Sequence, residues 1–231
     1  MDLITLSARL LALADMVRPR ARLLDVGTDH AFLPVFLTQK GLVSAALATD
    51  IAAGPISRAR SHIADAGLDR SVQTLRTPGL ENTSFFCATD IVIAGMGGEL
   101  IAAILDACAY IRSPDILLIL QPMTKQAQLR RWLSNNGFAI TREVLIPEDN
   151  RVYQALCASF TGVPYVLSPL DAEVGALNLA SGGDALLSLL ARKKTQLQKS
   201  VSGKKIGGID VSADLALLSE ITSYLNRKES P

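Results

Sequence analysis

Two rhythms of apolar residues alternate along this chain. Short strand-like runs, apolar at their centres except for the more polar 71–76, lie near residues 22–27, 45–50, 71–76, 90–94 and 115–120, with helices expected between them. Strands covered on both faces read as unbroken apolar runs, so the pattern predicts parallel strands joined by right-handed helical crossovers. Ahead of the first run, Leu3, Leu6, Leu10, Leu11, Leu13 and Ala14 predict an amphipathic helix packed beside the sheet. The last two runs, 138–146 and 152–160, flank Pro147, Glu148, Asp149 and Asn150, a turn-rich connector that predicts an antiparallel hairpin closing the sheet. Beyond Phe160 no strand-like run recurs. Leucines at helical spacing over 170–199 and 211–227, with Ser202-Gly203 and Gly207-Gly208 between them, predict a helical hairpin. The expected division is therefore an α/β domain over 1–162 and a helical, coiled-coil-like domain over 163–231. Two helices that merely pack on the main domain remain the alternative.

Composition narrows the class. The 231 residues suffice for one ordinary domain with an appendage, and 49% apolar with 19% charged residues fits a globular protein. Cys87, Cys108 and Cys157 make an odd number without metal-ligand spacing, which points to a reducing cytoplasm and no metal, with all three thiols expected in apolar surroundings. Asp2, Arg9, Asp15, Arg18 and Arg20 interrupt the N-terminal apolar residues, so no signal peptide is expected, and no apolar run is long enough to span a membrane. Lys and Arg total 23 against 22 Asp and Glu, a net charge of +1 that does not announce a nucleic-acid binder. Distribution says more. Arg18, Arg20 and Arg22 cluster before the first strand, and Arg192, Lys193, Lys194, Lys199, Lys204 and Lys205 concentrate near the C-terminus. Such runs are either solvated faces or phosphate contacts.

The candidate chemistry sits where strands end. The first run closes in Asp25, Val26, Gly27, Thr28, Asp29 and His30 before a helix, the junction at which an α/β sheet binds a nucleotide-like ligand. Its glycine spacing is not G-x-G-x-x-G, and the acid and histidine stand where a pyrophosphate wants bare N–H groups, which weakens a dehydrogenase reading. Asp50 ends the second run, placed either to hold ribose hydroxyls or to cap the next helix. Gly95, Met96, Gly97 and Gly98 follow the fourth run and let backbone approach a ligand closely. Gln121 and Pro122 follow the fifth, at the crevice edge, where the glutamine can hydrogen-bond a base. His30 either orients a ligand or caps a helix, His62 reads as structural, and Phe32 reads as core packing ahead of base stacking.

These strings, Asp25 to Pro34, Asp50 with Gly54-Pro55, Ile93 to Gly98 and Leu118 to Pro122, together with the segment from Glu143 to Tyr153, resemble the bacterial tRNA (adenine(22)-N1)-methyltransferases, the TrmK family, in motif order over nearly the whole chain. The resemblance implies a Rossmann-like class I methyltransferase sheet of seven strands, mostly parallel with the last antiparallel, and S-adenosyl-L-methionine as cofactor. It implies a monomeric enzyme acting on N1 of an unpaired adenine in tRNA. The implied cofactor contacts are Asp25, Gly27, Asp29, His30, Asp50, Ile51, Pro78, Gly79, Gly95, Met96 and Gly97. Asp29, His30, Gln121 and Pro122 are the implied catalytic set, and Arg18, Arg20, Arg22, Lys193, Lys194, Lys204 and Lys205 the implied RNA contacts. The chain departs from the family at Pro78, where an acid is usual, and at Met123, where asparagine is usual. Those departures keep open a cofactor- or RNA-binding protein without turnover, and a methyltransferase on a non-RNA substrate is the other alternative.

Overall fold

The computed structural model describes residues 5–229, so Leu3 of the expected opening helix lies outside the described residues. The chain alternates as predicted: α1 (Ala8–Met16), β1 (Ala21–Val26), α2 (Phe32–Gln39), β2 (Val43–Asp50), α3 (Ala53–Asp65), β3 (Val72–Arg76), β4 (Asp90–Gly97), α4 (Gly98–Asp106), β5 (Leu117–Thr124) and α5 (Gln126–Asn135). The hairpin β6 (Phe138–Glu148) and β7 (Arg151–Phe160) follows, then α6 (Pro169–Val174), α7 (Ala176–Ser181), α8 (Asp184–Ile206) and α9 (Ser212–Glu229).

One seven-stranded sheet runs in the order β3-β2-β1-β4-β5-β7-β6. The first five strands are mutually parallel, and β7 is antiparallel to both β5 and β6. Successive residues of the central strands point to opposite faces, and both faces are buried. Leu23, Val92 and Ile119 pack with Leu13, Val35 and Ile63 under α1 to α3, while Leu24, Ile93 and Leu120 pack with Ile101, Leu105 and Leu129 under α4 and α5. A third apolar cluster, Leu170, Leu186, Leu190, Leu197, Leu217 and Ile221, joins α6, α8 and α9 and takes in Leu145 from β6.

Several boundaries differ from the sequence expectation. Gly95 and Met96 are not a turn, because β4 continues through Gly97 and pairs Met96 with Pro122 and Gly97 with Thr124, with register shifts on either side. Pro122 lies inside β5, past the last pairing with β7 at Leu120. Pro147 and Glu148 belong to β6, and Asp149 and Asn150, with φ 48° and 58°, form the two-residue connection. Both residues tolerate the left-handed region that a tight hairpin requires. The helical stretch from Leu170 breaks at Gly175 and at Gly182-Gly183, whereas Ser202-Gly203 stays within α8 and the chain turns at Gly207-Gly208. One glycine costs a helix only about 1 kcal/mol, which packing of its neighbours offsets. Cys108 and Cys157 are buried, but Cys87 is exposed because it ends a single 3-10 turn over Ser84–Phe86.

Candidate active site

Strand order reverses between β1 and β4, and open α/β sheets bind ligands at such a switch point, outside the carboxyl ends of the strands. A cavity of about 320 Å³ opens there, with Asp25, Gly27, His30, Phe32, Gly95 and Gln121 in its wall. The Gly27 and Thr28 N–H groups both donate to the Thr49 carbonyl, at 2.8 and 2.9 Å, and fold the end of β1 over β2. Thr28 Oγ1 then accepts from the Ala31 N–H at 3.1 Å, which sets the start of α2. Gly27 needs its freedom twice over: φ is +78°, and a Cβ would run into the Met96 methyl. Gly95, at φ +77°, has open space where its Cβ would stand.

Electrostatics grade across this rim. Burial pushes the Asp25 carboxyl up to about 6 against the opposing effect of a Thr28 hydrogen bond. Asp29 points outward, paired with Arg58, and that hydrogen bond holds its carboxyl below the usual carboxylate range. His30 Nε2 lies 3.5 Å from Asp29 on its other side. Both histidines of the chain meet here, with His62 Nδ1 2.7 Å from the His30 carbonyl oxygen. Phe32 is stacked on His30 at 5.0 Å between ring centroids and meets His62 edge-on. Phe32 is 41% exposed, so the core-packing expectation is wrong: the left-handed Ala31, at φ 55°, swings the first residue of α2 to the cavity. His62 is structural in the sense that it fixes this loop.

Asp50 stands just ahead of α3. One carboxylate oxygen accepts the Ala52 N–H at 2.7 Å, and the other has no hydrogen bond among the described residues. Ile51 beside it is 65% exposed. Pro78 and Gly79 are next along this rim, following Thr77, whose N–H donates to the Asp50 carbonyl at 3.0 Å. They border a different hollow, with Ile104 and Tyr110, not the cavity of Asp25 and Gly95. Gln121 is fully buried, and its amide is already engaged: Oε1 accepts the Gly95 N–H at 3.2 Å, and Nε2 faces the Pro122 carbonyl and Met123 sulfur. It thereby positions Gly95. Sequence reasoning missed Arg9, which lines the cavity, lies 3.3 Å from Met123 Sδ and covers the Tyr153 ring. Its only signal was a cation on the polar side of a leucine-rich helix.

The basic candidates divide sharply. Arg18 and Arg20 precede β1 and Arg22 is its second residue, at the end of the sheet opposite the crevice. Arg18 binds both oxygens of the buried Asp90 and the carbonyls of Thr89 and Asp115, and Arg22 binds the Phe86 carbonyl while lying over its ring. Both tie the strands together through these bonds within the chain. Arg20 is exposed. Lys193 pairs with Glu173 at 2.5 Å and Lys204 with Asp214 at 2.6 Å, whereas Lys194 and Lys205 have no ion pair among the described residues.

A Methyltransferase domain family profile matches residues 6–156. The tRNA (adenine(22)-N(1))-methyltransferase of Bacillus subtilis is 35% identical over 182 residues, covering 79% of this chain and 74% of that protein. The chain belongs to the TrmK family. Among solved structures, Streptococcus pneumoniae Sp1610 in complex with S-adenosyl-L-methionine matches with a TM-score of 0.84 at 28% identity, over 96% of this chain and 100% of that one. Mycoplasma capricolum TrmK with S-adenosyl-homocysteine matches with a TM-score of 0.76 at 26% identity, over 97% of each chain. The TrmK likeness thus extends past the sheet into α6 to α9.

Proposed function

We propose that this protein transfers a methyl group from S-adenosylmethionine to N1 of adenine 22 in tRNA. The observation that carries this reading is the switch-point cavity, where a desolvated carboxyl, an open glycine and an exposed aromatic pair meet in a TrmK-family chain. The residues fit the cofactor. The unused Asp50 oxygen suits a ribose hydroxyl, Asp25 suits the positive charge of the methionine part, and Gly95 leaves backbone open to close approach. When bound, the cofactor supplies an electrophilic methyl on a sulfonium.

The protein's own task is alignment and exclusion of water. Adenine N1 carries an in-plane lone pair and needs no general base, so its methylation requires no nucleophile-base pair in the cavity. The Phe32–His30 stack offers a face for the base, and Gln121 holds the Gly95 backbone in place. N1 lies on the Watson–Crick edge, so the adenine enters unpaired or extruded. In this reading residues 1–162 hold cofactor and chemistry. Residues 163–231 add RNA affinity, with Lys194 and Lys205 as the cations free for phosphate. Incubation with labelled S-adenosylmethionine and undermodified total tRNA, followed by digestion to nucleosides, should yield labelled 1-methyladenosine. Label in any other nucleoside, or none, would refute the reading.

A further inference from the structure

A second hollow, of about 370 Å³, lies where the β5–α5 junction, the start of β7 and α8 meet. Its wall holds an unmet demand. Gln154 is 6% exposed, and its Oε1 has no hydrogen-bond partner among the described residues. A buried acceptor left unpaired costs about 1–3 kcal/mol, so the position calls for a donor. Around that acceptor the hollow is cationic. Arg151 is exposed with no ion pair among the described residues, and Arg192 commits one N–H to the Asn150 carbonyl at 2.6 Å while its other donors stay available. Glu173, the acid in the wall, is neutralised by Lys193.

This hollow shares a wall with the switch-point cavity. Arg9 lines the first, Met123 and Tyr153 line the second, and the Arg9 guanidinium touches both of the latter, 3.3 Å from Met123 Sδ and 5.2 Å from the Tyr153 centroid. The volume is at the small end of ligand pockets, about 300–1,000 Å³, and suits one nucleotide. A donor-bearing group for Gln154, an anion for Arg151 and Arg192 and a flat surface for Tyr153 are the three parts of a nucleoside phosphate whose base carries an amino group. A divalent cation is repelled by the arginines, and an apolar ligand leaves Gln154 unsatisfied.

We propose that this hollow is a second nucleotide site, holding a tRNA nucleotide other than the target adenine and so setting the register in which the target reaches the first cavity. The inference rests on the tRNA reading above. It is tested in the full chain with Gln154→Leu and Arg151→Ala, by titrating tRNA in binding and methylation assays and titrating cytidine 5′-monophosphate alone. Each variant should raise tRNA Kd and KM about tenfold while kcat at saturating tRNA and S-adenosylmethionine affinity hold. Arg151 is exposed, so its variant keeps the test decisive if Gln154→Leu does not fold. Unchanged tRNA Kd and KM in a folded variant would overturn the proposal. The same holds for Gln154-dependent binding of the mononucleotide without any effect on tRNA, which would assign the hollow to a free nucleotide. A wild-type protein that binds tRNA through Gln154 and Arg151 yet never methylates it would sink the methylation reading and leave this site standing. One that does not bind tRNA would sink both.

Discussion

At the scale of single residues, Asp25 and Asp50 carry the sharpest expectations, because their surroundings oppose each other. Asp25 has its carboxyl pushed up to about 6 by burial, above the unfolded value of 3.8. Between those values the folded state binds more protons than the unfolded state, so the contribution of this group to stability is fully present below the unfolded pKa and is lost as pH rises through 6. The full loss is about 3 kcal/mol on the linkage scale. Melting of the ligand-free protein should therefore favour Asp25→Asn over wild type increasingly from about pH 4 to about 6.5 and then level off, and a constant difference across that window would show that Asp25 does not titrate there. Cofactor binding should act in reverse, since a positive ligand favours the carboxylate. Calorimetry near pH 6 in buffers of different ionisation enthalpy should detect proton release that Asp25→Asn abolishes. Asp50 has one oxygen committed to the Ala52 N–H and one to spare. Asp50→Ala should weaken S-adenosylmethionine binding roughly ten- to a hundredfold, the worth of a hydrogen bond to a charged acceptor. Asp50→Asn, which keeps an acceptor for the Ala52 N–H, should retain more stability than it retains affinity.

At the scale of elements, the joint between the sheet and the C-terminal helices depends on a buried ion pair. Arg130 of α5 and Glu143 of β6 are each 1% exposed at their side chains and meet at 2.7 Å. Arg130 also donates to the carbonyls of Ala172 and Glu173, and Glu143 accepts the Leu177 N–H at 3.0 Å, so one pair ties both α6 and α7 to the sheet. Gly175 lets them close, because a Cβ there would land on the Glu143 carboxylate. Glu143→Ala should cost about 3–5 kcal/mol, since it strands a buried cation. Gly175→Ala should damage the same joint by displacing the carboxylate. Hydrogen exchange should rise in α6 and α7 before it rises in β1 or β4, and uniform loss of protection would mean the joint has no separate role. The doubly apolar Arg130→Met with Glu143→Leu should recover much of the loss. The strands of this fold were legible because runs such as Ile91-Val92-Ile93 are buried on both faces and admit no other reading. The joint was not legible. Nothing in the local pattern around Arg130 distinguishes it from an ordinary solvated arginine, and its partners lie 13 to 43 residues away. Phe32 failed for a related reason: its apolarity predicted burial, while the backbone turn at Ala31 decided its direction.

At the scale of the whole molecule, charge that looked interchangeable in the sequence is sorted by position. Arg18 and Arg22 secure the amino ends of β1 and β4, across the sheet from the cavity, and Lys193 and Lys204 are spent on Glu173 and Asp214. Of the four candidate lysines, Lys194 and Lys205, both on α8, are left without an ion pair among the described residues. Each phosphate contact released from an RNA-like polyanion contributes about 0.7–0.9 to the slope of log affinity against log salt. Lys194→Ala with Lys205→Ala should therefore lower tRNA affinity and flatten that slope by about one to two, with S-adenosylmethionine affinity unchanged. Lys204→Ala should behave differently, because it breaks the ion pair between α8 and α9 and frees Asp214: helix stability should fall while the salt slope stays near wild type. Titrating both variants with tRNA at several salt concentrations, beside a thermal melt, separates the two roles. If the double variant keeps the wild-type slope, Lys194 and Lys205 do not engage the RNA, and Arg9, Lys125 and Arg151, beside the two cavities, are the next cations to neutralise.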